Sequence, residues 1–187
     1  LPAIGPNPVL NVLKLQFPSP PELIAPVAVP LPQAKRIALP SRGEAVLSVL
    51  DAGVAGRAIK GGRVHVDRLG AEPYAAVRNW MNRDQQLIWL VDVPQAGVYV
   101  VRIQLACPEP FQGSTFTLRS KTDGLTGVVA STKTFEDYVW QVVGEIRLPA
   151  GICRLTMQPD EIPYGYLFAH VAAISLKRRK EKGSLRS

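Results

Sequence analysis

From residue 43 onward, apolar and polar positions alternate with a period of two, the spacing of a strand whose two faces see different surroundings. Along Gly97 to Cys107, Tyr99, Val101, Ile103, Leu105 and Cys107 share one face, and Arg102 and Gln104 fall on the other. The same reading predicts strands over Glu44 to Leu50, Arg63 to Leu69, Tyr74 to Trp80, Gln86 to Val93 and Val98 to Ala106. It continues with Thr115 to Ser120, Gly127 to Ser131, Val139 to Leu148, Cys153 to Gln158 and Tyr166 to Leu176. Turn signals separate them: Gly61-Gly62, Asn82-Arg83-Asp84, Pro94 to Gly97, Asp123-Gly124, Pro149 to Gly151 and Pro159-Asp160. Short strands at this spacing, with no convincing amphipathic helix, predict an all-β sandwich or jelly roll. The Ala-rich centre of Tyr166 to Leu176 also fits a short buried helix, and periodicity leaves both open.

Before residue 43 the pattern is different. Ten of the 17 prolines fall within residues 1–40, a density at which fixed φ and missing donors exclude both a helix and a central strand. Residues 1–42 are therefore expected to form an extended, proline-rich N-terminal arm. The arm is nevertheless apolar, with Leu13, Leu15, Phe17, Leu23 and Ile24 among its side chains, and such a surface is expected to lie on its own domain or on another subunit. The organisation that results is an arm over 1–42, a β-sandwich over 43–176 and a basic C-terminal tail over 177–187.

The tail changes the meaning of the net charge of +7. Six cations, Lys177, Arg178, Arg179, Lys180, Lys182 and Arg186, stand there against Glu181, so the body is close to neutral and a nucleic-acid footprint is not expected. Lys177, Arg178, Arg179 and Lys180 are candidates for contact with anionic lipid or an acidic protein surface, against the plainer reading of a solvated end.

Several chemistries are disfavoured. The longest uncharged stretch, Ile162 to Leu176, is 15 residues, short of the ~20 that span a bilayer as a helix. Two cysteines and two distant histidines make neither a disulfide framework nor a zinc site, and no hydrolase, phosphate-loop or dinucleotide motif occurs. Cys107 and Cys153 lie on the apolar phase of their strands, expected as buried thiols, with a disulfide open if the protein is exported. His65 reads as a polar-face strand residue and His170 as a buried, hydrogen-bonded one. Glu136-Asp137 and Asp160-Glu161 are neighbours in turns, more suited to capping than to acid and base on opposite sides of a scissile bond. No cofactor and no metal are expected. A sequence that starts at Leu1 rather than Met is either processed or partial; a removed export signal fits, and an extracytoplasmic location is preferred.

One stretch is more specific. Trp80 to Tyr99 has the form Trp, polar turn with Asp, strand with Trp, Pro-x-x-Gly-x-Tyr, then an alternating strand. Further on come Leu125-Thr126-Gly127, Gly144 to Gly151, and Gly165-Tyr166-Leu167 leading into Ile174-Ser175-Leu176. Together these resemble the galactose-binding-like jelly-roll domains of carbohydrate-binding modules, particularly the non-catalytic domains attached to glycoside hydrolases such as bacterial α-L-fucosidases. The resemblance covers residues 44–176. It implies a non-catalytic sugar-binding module, and in several such domains a structural calcium. Glu44, Asp51 and Asp92 are available, but without the acidic density of a calcium loop.

Sugar recognition needs an aromatic plane for the apolar face of a pyranose and amide, carboxylate or guanidinium groups for its hydroxyls. Tyr74, Arg78, Asn79, Trp80 and Asp84 surround one turn, Asp137 and Tyr138 a second, and Tyr164 a third; these are the candidate ligand residues. Phe135, Trp140, Asn82, Arg83 and Asp160 lie in the same turns. Trp89, sharing its face with Leu87, Val91 and Val93, is expected in the core. The alternative function is an accessory or assembly subunit of a larger, membrane-associated complex, which the apolar arm favours; a hydrolase on this scaffold ranks third.

Overall fold

The computed structural model describes residues 34–56, 63–69, 72–78, 80–81, 83–163 and 167–180, and the side chains of all of these except 63–69 and 72–74. Twelve strands are found among them: β1 (Arg36–Ala38), β2 (Glu44–Ser48), β3 (Gly53–Ala55), β4 (Arg63–Leu69), β5 (Glu72–Arg78), β6 (Gln86–Val93), β7 (Gly97–Ala106), β8 (Thr115–Arg119), β9 (Gly124–Val128), β10 (Val139–Leu148), β11 (Gly151–Glu161) and β12 (His170–Arg178). Two 3-10 turns, Val49–Asp51 and Glu109–Phe111, are found among the described residues as well.

The strands form two six-stranded sheets. The first runs β1-β6-β11-β8-β9, with β3 on the same edge of β6 as β1. The second runs β10-β7-β12-β5-β4, with β2 also on β12. β6 and β7 belong to different sheets, as do β10 and β11, and β11 and β12, so the chain repeatedly crosses between layers in the manner of a jelly roll. All sheet pairings are antiparallel except β1 with β6.

The alternation seen in the sequence is the cause. On β7, Tyr99, Val101, Ile103 and Leu105 are buried, with Arg102 and Gln104 half-exposed on the other face. On β6, Leu87, Trp89, Val91 and Val93 meet them from the opposite layer, together with Leu155 and Met157 of β11. Trp89 does more than fill volume: its Nε1 donates to the Ser48 carbonyl at 2.9 Å, fastening the first sheet to the end of β2 in the second. A buried indole N–H without such a partner would cost about 1–3 kcal/mol.

Several expectations need correction. Tyr166 to Leu176 is neither wholly strand nor helix: the strand starts at His170 and runs to Arg178, two residues into the stretch expected as tail. β1 places sheet structure before residue 43. β5 lies two residues earlier than expected, and β9 is Gly124–Val128 rather than Gly127 to Ser131. Cys107 and Cys153 are both buried and free. Leu13, Leu15, Phe17, Leu23 and Ile24 lie outside the described residues.

Candidate functional site

Strand register decides where the polar turns go. His170, opening β12, pairs with Ala106, which closes β7, and Val139, opening β10, pairs with Leu105. Thr115 at the start of β8 pairs with Glu161 at the end of β11, and Val77 near the end of β5 pairs with Val171. Trp80, Arg83–Gln85 and the segments 107–114, 129–138, 159–163 and 167–169 consequently leave the sandwich at the same end. The three turns that the sequence singled out as separate clusters thus share one end.

Direct contacts join them. The Arg83 carbonyl accepts from Gln158 Nε2 at 2.8 Å, while Arg83 Nη1 donates to the Asp160 carbonyl at 3.3 Å. The Asp160 carboxylate accepts from Thr117 Oγ1. The Phe168 N–H donates to the Trp80 carbonyl at 2.8 Å, and Gly113 faces Pro163. Arg78 reaches Tyr138: burial raises the phenol above its ordinary 10, and the Arg78 charge and hydrogen bond pull the other way. Phe135 stacks on His170 with ring centroids 4.3 Å apart, and Phe111 lies 5.5 Å from Phe135.

The acidic loop is pre-shaped by its own backbone. Thr134 Oγ1 accepts from the Glu136 and Asp137 N–H groups at 3.2 Å each and donates to Asp137 Oδ2 at 3.0 Å. A hydroxyl taking up local N–H groups in this way fixes a turn without a helix or sheet ladder. The cost of ordering the loop is therefore met in folding rather than on ligand binding. Thr132 anchors its base, exchanging bonds with the Cys107 backbone N–H and carbonyl at 2.8 and 2.7 Å.

Among the candidate ligand residues, Asp84 and Asp137 are exposed at this end, and Arg78 and Tyr138 are half-buried beside one another. Trp80 is not an exposed platform. Only 1% of it meets solvent, and its ring lies edge-on to Phe168, so it belongs to the core. Tyr74 sits on β5 with its side chain outside the described residues, as are Asn79 and Tyr164. Trp140 leaves the cluster altogether: it lies on the outer face of the second sheet, 5.2 Å under the Arg102 guanidinium. Sequence reasoning passed over Thr134 and the Phe135–His170 stack. The Thr-x-Glu-Asp run was a signal for the first; nothing local foretold the second.

At this end the chemistry is hydrogen bonding. Exposed Arg83, Asp84, Glu136, Asp137 and Asp160 offer donors and acceptors at this end, where Phe135 and Tyr138 are half-buried. The carboxylates with displaced pKa values, Glu44 and Asp123, are both held low and sit at the far end. The acids considered for calcium are scattered: Glu44 pairs with Arg102, Asp51 with Lys35 at 3.2 Å and Asp92 with Arg36 at 2.7 Å. The basic residues lie at the far end as well. Arg178 Nη1 donates to Gln95 Oε1 at 2.6 Å, and Arg179 pairs with Glu145 at 2.8 Å.

No family model and no curated protein matches this chain. Solved structures do. A family 35 carbohydrate-binding module from Clostridium thermocellum aligns with a TM-score of 0.57 at 11% identity, over 73% of this chain and 99% of that one. Xyl-CBM35, solved with a disaccharide containing glucuronic acid, aligns at 0.56 and 12%, over 72% and 94%. The Cry4Aa toxin from Bacillus thuringiensis aligns at 0.58 and 10%, over 79% of this chain and 25% of that one. At these identities the likeness is one of fold: the chain is a jelly-roll β-sandwich of the kind found in family 35 carbohydrate-binding modules. The narrower α-L-fucosidase resemblance remains a resemblance.

Proposed function

We propose that this protein is a non-catalytic carbohydrate-binding module that holds a glycan at the loop end of the sandwich, outside the cytoplasm. The observation that carries the reading is the convergence of the Arg83–Gln85, Ser131–Tyr138 and Pro159–Pro163 segments at one end of a rigid β body. Exposed carboxylates, a guanidinium and partly exposed aromatic rings share that end. The jelly-roll likeness supports it, because that scaffold carries glycan binding in the modules named above; fold alone would not, since a toxin shares it.

The mechanism is preformed complementarity. Tyr138 and Phe135 offer apolar ring surface, while Arg83, Asp84 and Asp137 bond hydroxyls in the sugar plane. No proton transfer is required of these groups, which fits a binding role rather than hydrolysis. Glycan-array and affinity-gel binding test it. The double variant Arg83→Ala/Asp84→Ala, both exposed, is expected to lose about tenfold or more in affinity with an unchanged melting temperature. Wild-type protein that retains no glycan, or a double variant that binds undiminished, overturns it.

A further inference from the structure

The end of the sandwich opposite the loops carries a groove of about 1530 Å³. It continues onto the outer face of the second sheet, where Val100 and Arg102 of β7 neighbour Lys177 of β12 and Glu44 of β2. Among the described residues, six cationic side chains line it, Arg42, Arg102, Lys177, Arg178, Arg179 and Lys180, against the single carboxylate of Glu44. Arg102 answers Glu44, and Arg179 answers Glu145 just outside the groove. The other four cations meet no carboxylate at ion-pair distance among the described residues.

Arg178 is the best fixed of the four. Its Nη1 donates to Gln95 Oε1 and its Nη2 to the Ala96 carbonyl at 3.4 Å, neutral partners that orient the guanidinium and leave its charge uncancelled. Gly97 makes this position available, because a Cβ there would come within 2.9 Å of Arg178 Nε. Lys177 acts on Glu44 at longer range, so Arg102 and Lys177 share that one carboxylate; cations in this excess, gathered in one concavity with Arg178 pre-oriented, raise the local potential and favour anions.

We propose that this groove binds an anionic polysaccharide, a chain bearing carboxylate or sulfate groups at intervals. A protein partner needs an apolar pocket for an anchoring side chain, and among the described residues Val100 is the single aliphatic one in the lining. Single-stranded nucleic acid needs aromatic faces for its bases, and none lines the groove among the described residues. A bilayer surface is met by apolar side chains that insert between headgroups, on a surface that is not concave. A charged glycan asks for what the groove offers: guanidinium and ammonium groups for its anions, with Ser41 and Gln95 for its hydroxyls.

This site is separate from the loop end, and its test separates the two. Titration calorimetry of the full chain, tail retained, uses heparin fragments and oligogalacturonate as probes, at low and high salt. Arg42→Gln/Lys177→Gln/Lys180→Gln, all exposed positions, is expected to weaken binding by about tenfold or more without changing the melting temperature, and added salt to weaken the wild type. Arg83→Ala/Asp84→Ala is expected to leave it unaltered. The proposal is overturned if the triple variant binds as the wild type does, in which case residues 181–187 carry the affinity. It is equally overturned if the loop-end variant abolishes binding, if neither glycan binds, or if single-stranded DNA, polyglutamate or phosphatidylserine vesicles bind as tightly as the glycans.

Discussion

The Trp80 indole stands edge-on to the Phe168 ring, centroids 5.3 Å apart and planes at 68°, and the backbones of the same two residues are joined by the Phe168 N–H to Trp80 carbonyl bond. Phe168 in turn meets Phe116 of β8 edge-on at 5.8 Å, so one aromatic chain links the segment after β5 to the opposite sheet. Loop-end geometry therefore rests on a residue that cannot itself touch a ligand.

Trp80→Ala is expected to cost about 3–5 kcal/mol, the range for emptying a fully buried aromatic site, and to lose glycan binding through unfolding. Trp80→Phe keeps an edge-on ring and is expected to retain most of the urea midpoint and all of the affinity. A Trp80→Phe protein that is folded yet cannot bind would contradict the core assignment.

Gly56 follows β3 with φ +102°, and a Cβ there would run into the Asp84 carbonyl and come within 2.9 Å of Gln85 Cα. Gly56→Ala forces a left-handed backbone on an L side chain and pushes the Arg83–Gln85 turn outward. The expected result is a loss of about 1–3 kcal/mol together with weakened glycan binding, measured by denaturation and affinity gels. Unchanged affinity would mean that this turn does not contribute to the site.

The sandwich was legible where a strand has one wet and one dry face. β10 falls on the expected Val139 to Leu148, and β7 within a residue of its expected span. β1 and β3 were not legible, because three-residue strands carry too little alternation and exist only through their pairing with β6. β12 was ambiguous because it is buried on both faces, Ser175 included, which erases the period-two signal. At the loop end the sequence did not separate a buried ring from a partly exposed one. Trp80 and Phe135 look alike in sequence, and only register places one beneath Phe168 and the other on His170.

On the outer face of the second sheet, Glu44 Oε1 accepts from Arg102 Nε at 3.0 Å, and Arg102 lies over Trp140. The Ser175 hydroxyl, then Arg102 and Lys177, hold the Glu44 carboxyl below its ordinary 4.5 against the opposing effect of burial. A depressed folded pKa means that the stabilisation is complete above the unfolded value and is lost as pH falls through the folded one. The wild type is therefore expected to lose stability below about pH 4.5 more steeply than Glu44→Gln does. A double-mutant cycle with Arg102→Met should return a coupling of about 0.5–1 kcal/mol. A cycle that closes to zero would leave the pair a surface contact with no energetic role.

Cys107 directly follows β7 at the loop end, whereas Cys153 of β11 pairs with Val91 toward the other end and in the other sheet. Facing sheets stand about 10 Å apart, beyond the Cα separation a disulfide spans, so both thiols are expected free under non-reducing conditions. Burial pushes the Cys107 thiol up to about 11 from 9.0. Because burial favours the neutral form, its stabilising effect is complete below pH 9 and is lost as pH rises from there toward 11, where the unfolded chain ionises first. Native protein at pH 8 should label with a thiol reagent only as fast as it opens, and promptly in urea. Cys107→Ala should flatten the alkaline loss of stability. Prompt labelling of Cys107 in the native state would show that the strand end below the acidic loop is open to solvent, and with it the anchorage that Thr132 gives the loop would fail.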